Sequence, residues 1–184
     1  MMRKRVCEAT LFAATLRPFC SVSRAPAVSL FYNDVYQVTL PPQHRFPMHK
    51  YQAVRAKVES TLREKELSEH VRFEVSPRAT EAELSSTHCP EYIRRFMSGS
   101  MTDSENRRIG FPWSIAGTQR ITSSVGGTVA AMRSVCSGES ISAAHLAGGT
   151  HHAFHDRGEG FCVFSDIAVA ANLAISEFGM SQIL

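Results

Sequence analysis

Two adjacent histidines, His151 and His152, are the residues best suited to chemistry in this chain. A neutral imidazole has an ordinary pKa of about 6.5, so at neutral pH it can take a proton from water and return it to a leaving amine. One histidine would act as general base and acid, and the other as its electrostatic partner. A His-His pair is by itself more often structural or exposed, so the flanking residues have to distinguish these alternatives.

The segments on either side of the histidine pair predict a strand and a helix. Residues 141–147 are an apolar run bounded by glycines, which is typical of a strand buried on both faces. Asp166 is a candidate N-cap for an alanine-rich helix that extends to Phe178, with Gly179 as its stop. The pair is therefore expected just past the carboxyl end of a central strand, where open α/β sheets bind ligands.

The rest of the chain alternates between strand and helix patterns. Strands are predicted at residues 28–32, at an edge of the domain, and at 71–75. Helices are predicted at residues 50–65, after the capping box formed by Thr80 and Glu83, from Pro90 onward, and along 121–132. Residues 98–114 are expected to form a long loop, and the proline-rich loop 41–47 could line a site. This alternation predicts an α/β fold with a parallel sheet flanked by helices.

Positive charge is concentrated at the start of the chain. The 184 residues contain 20 Lys and Arg and 17 Asp and Glu, and five of the basic residues but one acid lie in residues 1–25. The remainder is nearly neutral, which gives no support for binding nucleic acid through its phosphates. Residues 1–25 have the composition of a mitochondrial or plastid transit peptide. The alternative is a disordered leader and a nuclear or cytoplasmic location. The domain is expected at residues 28–184, without the roughly 20 apolar residues of a membrane span.

The histidine pair belongs to a longer motif that resembles the central signature of the zinc-dependent histone deacetylase family. The motif runs from Gly148 through Ala153 and continues from Gly160 through Asp166. Residues 157–160 and the 44–47 loop look most like class IV and bacterial deacetylase-like members. The resemblance implies the arginase/deacetylase fold, Zn²⁺ as cofactor, and an acetylated lysine protein or peptide as substrate.

The resemblance also implies roles for individual residues. His152 would be the general base and acid, and His151 its electrostatic partner. Gly160 would offer its backbone carbonyl to the substrate amide, and Phe161 would form one wall of the acyl-lysine tunnel, with simple packing in the core as the alternative for Phe161. Ser165 stands where many members have Asn, a departure that would weaken a hydrogen bond behind the site.

Three further residues near the motif are given structural roles. His145 is expected to face a helix from within its strand, and His155 to be exposed on the following loop. Cys162 is expected to be a small buried apolar residue and not a nucleophile. The five cysteines are scattered without a Cys-x-x-Cys pair, which argues against structural zinc and a disulfide framework.

The zinc ligands that the resemblance implies are missing from the sequence. In the family the metal is bound by an Asp-x-His motif and a later Asp, but none of the four aspartates here begins an Asp-x-His. Residues 181–184 look like the opening of the strand that would deliver this motif. We therefore expect the chain to be the N-terminal part of a deacetylase, C-terminally incomplete and inactive alone, whose full-length form hydrolyses acetyl-lysine amides with zinc. The alternatives are a non-catalytic truncated isoform and a deacetylase of small acetylamides or acetylpolyamines.

Overall fold

The computed structural model describes residues 27–183, in which three parallel strands form one sheet. The strands are β1 (Val28–Tyr32), β2 (Val71–Val75) and β3 (Ser142–His145), in the order β2-β1-β3. Val28 of β1 pairs with Val71 on one side and Ser142 on the other. Because the strands are parallel, their carboxyl ends lie at one edge of the sheet, and the histidine pair follows β3 at that edge.

Within residues 27–183, six α-helices and one short 3₁₀ helix, Ser68–His70, accompany the sheet. The α-helices are α1 (Lys50–Glu64), α2 (Glu81–Ser85), α3 (Pro90–Ser98), α4 (Asp103–Ile109), α5 (Ile115–Cys136) and α6 (Asp166–Phe178). The capping box at Thr80 and Glu83 is formed, and Gly179 ends α6 in the left-handed conformation with φ 66°. The predicted α/β fold with a parallel sheet flanked by helices is confirmed. None of the helices between residues 27 and 183 is long and apolar enough to cross a membrane.

Helix α5 is the central packing element of this part of the chain. It packs against α6, β3 and β1, and its two adjacent glycines face the sheet side. A β-carbon at Gly127 would lie 2.6 Å from His145 Cδ2, and one at Gly126 would overlap the Pro77 carbonyl oxygen. The absence of side chains at these two glycines therefore allows α5 to approach the sheet closely. Valines of α5, aromatic residues of α3 and Phe164 form the apolar core.

β1 is the middle strand of the described sheet, because β2 and β3 pair with its opposite sides. One prediction about the strands is wrong. β3 is not a central strand buried on both faces: its residues alternate between exposed and half-buried, and Ile141 is 85% exposed. The apolar run suggested burial on both faces, but this strand packs against α5 on one face only. Within residues 27–183 no further strand pairs with its outer side.

Other differences occur outside the sheet. Residues 98–114 were expected to form a loop, but residues 103–109 form α4, which begins with a second capping box between Thr102 and Glu105. The same Thr-x-x-Glu spacing that predicts α2 is present there in the sequence. Residues 181–183 lie in neither a helix nor a strand. The predicted transit peptide, residues 1–25, lies outside the described residues.

Candidate active site

The two histidines lie side by side at the carboxyl edge of the sheet. Their ring centroids are 4.2 Å apart, their planes are tilted by 42°, and both residues are exposed. Nδ1 of His151 donates a hydrogen bond to the carbonyl oxygen of Gly149 at 2.9 Å. That bond places the proton of a neutral His151 on Nδ1 and leaves Nε2 as an acceptor.

The carboxylate of Asp166 positions the turn that carries the histidines. Asp166 is fully buried, and its Oδ1 accepts hydrogen bonds from the Thr150 amide and hydroxyl, both at 2.7 Å, and from the Ile167 amide at 2.9 Å. Its Oδ2 accepts from the Gly149 amide at 2.9 Å and from the Thr128 hydroxyl at 2.5 Å. Asp166 is therefore the first residue of α6 and not its cap. The N-cap is Ser165, whose side chain accepts from the Ala168 amide.

His88 is a second anchor of the histidine loop, and sequence analysis missed it. Its side chain is buried, and Nδ1 donates to the Phe154 carbonyl at 2.9 Å while Nε2 accepts from the Ser165 amide at 3.0 Å. Burial lowers the pKa of His88, which keeps the ring neutral as this donor and acceptor pattern requires. Its position between α2 and Pro90 has no periodic or motif signal in the sequence.

Gly160 and Phe161 form a left-handed turn against the second histidine. Their φ angles are 55° and 67°, and a β-carbon at Gly160 would lie 3.2 Å from His152 Cδ2. A positive φ is unfavourable for a residue as bulky as Phe, and such strained residues cluster at functional sites. The Phe161 amide donates to the Ile109 carbonyl at 2.7 Å, a bond that fixes the turn.

The Phe161 ring is part of an aromatic wall and not of the buried core. Its centroid lies 5.0 Å from that of Phe46 and 5.1 Å from that of Phe111, and the Arg45 guanidinium carbon lies 5.0 Å from it. His44 contacts the same group and bonds to the Gly110 carbonyl at 2.9 Å. The proline-rich loop 41–47 thus packs next to Phe161, as a site-lining loop should.

The three structural residues near the motif lie as predicted. His145 faces α5, with Nδ1 3.3 Å from the Thr128 hydroxyl, and burial lowers its pKa to about 4. Cys162 is 6% exposed. His155 is exposed, although its Nδ1 also donates to the Thr87 carbonyl at 2.6 Å.

A cavity behind the aromatic wall contains a buried cation that sequence analysis also missed. The cavity has a volume of about 60 Å³, and its lining includes Phe161, Thr150 and Arg120. Arg120 lies on α5 and is 5% exposed, and burial lowers its pKa. In the sequence it is one charge among small and apolar residues of a predicted helix, which is the signal that could have identified it.

The described residues do not provide a metal site. Between residues 27 and 183 no group of three or more His, Cys, Asp and Glu side chains is arranged to bind a metal ion. In the same part of the chain the hydrogen bonds of His151 and His152 include none to a carboxylate. The residues present therefore do not fit a zinc ion.

Comparisons with known proteins agree on one family. The histone deacetylase domain model matches residues 44–184. An uncharacterized protein of Picosynechococcus sp. is 34% identical over 151 residues, which cover 82% of this chain and 48% of the relative. The acetoin utilization protein AcuC of Bacillus subtilis is 39% identical over 105 residues, covering 52% of this chain and 27% of AcuC.

The same fold occurs in a solved structure. The crystal structure of the HDA15 HD domain superimposes with a TM-score of 0.67 at 15% identity, covering 83% of this chain and 44% of that one. At this identity the likeness establishes the fold. The chain spans about half, or less, of the length of the relatives it matches.

Proposed function

The chain belongs to the histone deacetylase domain family, and from that membership we propose that it supplies the proton-transfer and substrate-binding part of a hydrolase acting on acetylated lysine. The observation that carries the proposal is the His151-His152 pair. It lies on a turn fixed by Asp166 and against the Gly160-Phe161 turn. A surface pair without a role would not require this many buried hydrogen bonds behind it.

In the proposed reaction His152 is the general base and then the general acid. Its imidazole takes a proton from the attacking water and returns a proton to the lysine amine as the amide bond breaks. His151 bonds through Nδ1 to the Gly149 carbonyl, so its Nε2 side is available to the substrate or to the water. The Gly160 carbonyl would accept the substrate amide N–H, and Phe161 would line the path of the acyl-lysine side chain.

The proposed reaction depends on zinc, but residues 27–183 do not supply the zinc ligands. When bound in such enzymes, zinc polarises the amide carbonyl and lowers the pKa of its bound water. Because residues 27–183 contain no fitting ligand set, we assign no step to the metal. The proposal takes the zinc ligands from sequence that would follow residue 184. Codons for an Asp-x-His motif within about ten codons after Leu184 would support it, because ligands at the carboxyl edge of the next strand would lie near the histidine pair.

Hydrolysis of an acetyl-lysine peptide tests the proposal. We expect the longer product, which is the protein extended beyond Leu184 to include the zinc ligands, to be active with zinc and the 184-residue chain to be inactive. His152→Ala should lower kcat of the longer product by about 10²- to 10⁴-fold. His155→Gln, on the same loop, is the matched control and should retain activity. Robust activity of the 184 residues alone would contradict the proposed metal site, and full activity of His152→Ala would contradict the role of the pair.

A further inference from the structure

The cavity behind Phe161 is lined by a buried arginine that forms no salt bridge with a carboxylate of residues 27–183. Arg120 is 5% exposed, and its Nη2 has no hydrogen-bond partner within the described residues. The other walls are mostly apolar and aromatic. A buried cation without a paired anion is costly, so an arginine at this position favours an anionic ligand.

The neighbours of Arg120 do not neutralise its charge. The guanidinium carbon lies 4.3 Å from the Tyr51 ring centroid, and the guanidinium also hydrogen-bonds with the Tyr51 hydroxyl. Neither the cation–π contact nor a bond to a neutral hydroxyl removes the charge. Burial raises the pKa of Tyr51, so the phenol stays protonated. Asp34 acts on Arg120 electrostatically, but Arg55 binds both of its carboxylate oxygens at 3.0 and 2.9 Å.

The cavity also adjoins the candidate active site. Its lining includes Thr150, the residue before His151, and Phe161, the residue after Gly160. Both turns of the candidate active site therefore contribute a residue to the cavity lining, so an acyl chain that lies along the Phe161 ring would face the cavity. At about 10 to 15 Å³ for each water-sized group, the 60 Å³ cavity accommodates roughly four to six non-hydrogen atoms.

On this basis, and resting on the proposed function, we propose that Arg120 binds a terminal carboxylate of the acyl group, so that the preferred substrate is a lysine acylated by a short dicarboxylic acid. Beyond the amide carbonyl carbon an acetyl group has one non-hydrogen atom, whereas a malonyl group has four and a succinyl group five. The dicarboxylic acyl groups match the cavity in size and supply the anion that Arg120 lacks. Arg120 thereby becomes a specificity-determining residue for the acyl group.

Binding to the 184-residue chain tests the proposal independently of catalysis. The two probes are N-butylsuccinamate and its neutral isostere N-butyl-4-methylpentanamide, with affinities measured by calorimetry. We expect the succinamate to bind at least about tenfold more tightly, which is the lower end of the effect of a charge-assisted hydrogen bond. Arg120→Met should abolish this preference, while the matched control Arg45→Met, which removes the cation over the outer Phe161 ring, should retain it.

Several results would overturn the proposal. Equal binding of the two probes would do so, as would a preference that persists in Arg120→Met or disappears equally in Arg45→Met. Free acetate that binds as tightly as the succinamate would assign the cavity to a free carboxylate and not to an acyl chain. If Arg120→Met fails to fold by circular dichroism, Arg120→Gln is used, and shifts of the arginine Nε–H NMR signals of the wild type on adding each probe give the same comparison.

Assays of acetyl-lysine and succinyl-lysine peptide hydrolysis by the longer product distinguish a failure of this proposal from a failure of the proposed function. Hydrolysis of acetyl-lysine with no preference for succinyl-lysine would leave the function standing and overturn the role of Arg120. Carboxylate binding that depends on Arg120, in a protein that hydrolyses neither peptide, would leave the anion site standing and overturn the function.

Discussion

Replacing Asp166 with Asn should destabilise the turn that carries the histidine pair. The carboxylate accepts five hydrogen bonds, three on Oδ1 and two on Oδ2. An asparagine has the same shape but must place an NH₂ group at one of these oxygen positions. It will occupy the Oδ2 position, where the Thr128 hydroxyl can rotate to accept, but the Gly149 amide then faces another donor.

The magnitude follows from that count. One backbone N–H loses its acceptor, and the remaining bonds lose the assistance of a charge, where bonds to charged groups contribute about 1.5 to 3 kcal/mol each. We expect Asp166→Asn to lower the free energy of unfolding by about 3 kcal/mol. The control is Asp156→Asn on the same loop, whose side chain is 64% exposed and pairs with Arg157, and which should change stability by less than about 0.5 kcal/mol.

Urea denaturation of the 184-residue chain measures the loss, and amide hydrogen exchange locates it. The Gly149 and Thr150 amides should exchange faster in Asp166→Asn, while amides in β1 should change only through global stability. A wild-type unfolding free energy in Asp166→Asn, or an equal loss in Asp156→Asn, would refute the assignment of Asp166 as the positioning residue. Unchanged protection of the Gly149 amide would refute the expected orientation of the asparagine.

Three other predictions concern acid stability, packing and location. Because the folded-state pKa of His145 is about 4, below its ordinary value of 6.5, its contribution to stability is full above pH 6.5 and is lost as the pH falls toward 4. The loss of unfolding free energy is at most about 3 kcal/mol, and His145→Gln should reduce this pH dependence in urea titrations. The remaining dependence is expected from His88, whose pKa is also lowered by burial, and near pH 4 from Glu83, Glu105 and Glu177, whose pKa values are lowered by hydrogen bonds. Gly127→Ala should lower the unfolding free energy by about 1 to 3 kcal/mol because the added methyl meets Ser76 and His145, whereas Gly117→Ala, which meets only the Ser114 hydroxyl, should be nearly neutral; equal effects would contradict the close helix–sheet contact. A fluorescent protein fused to residues 1–30 should enter mitochondria or plastids, and a diffuse or nuclear signal would contradict the transit-peptide prediction.

Local signals in the sequence predicted most helices, whereas long-range contacts decided where the strands lie. The capping box of Thr80 and Glu83 identifies a helix start because it depends on residues three positions apart. Pro90 identifies another because proline is favoured at the first helical position. The position of β1 in the middle of the sheet depends on pairing with strands 43 and 114 residues later, which no local pattern encodes. The burial of β3 depends on what packs on its outer side, so an apolar run alone could not establish it.

In the candidate site, too, local motif residues could be predicted from the sequence and residues that act through long-range contacts could not. The contacts of Asp166 explain why the motif has these residues. The histidines, Gly160 and Phe161 could be proposed from the sequence, whereas His88 and Arg120 act through contacts with residues far along the chain. Asp166 belongs to the motif because its carboxylate reaches back to the amides of Gly149 and Thr150. A β-carbon at Gly148 would lie 2.9 Å from Asp166 Oδ2, and Gly149 has a φ of 94°, so both positions of the turn favour glycine. The Gly-Gly turn, the histidines and the aspartate therefore form one hydrogen-bonded unit, so substituting Asp166 should disturb the His151-His152 geometry as directly as substituting the turn.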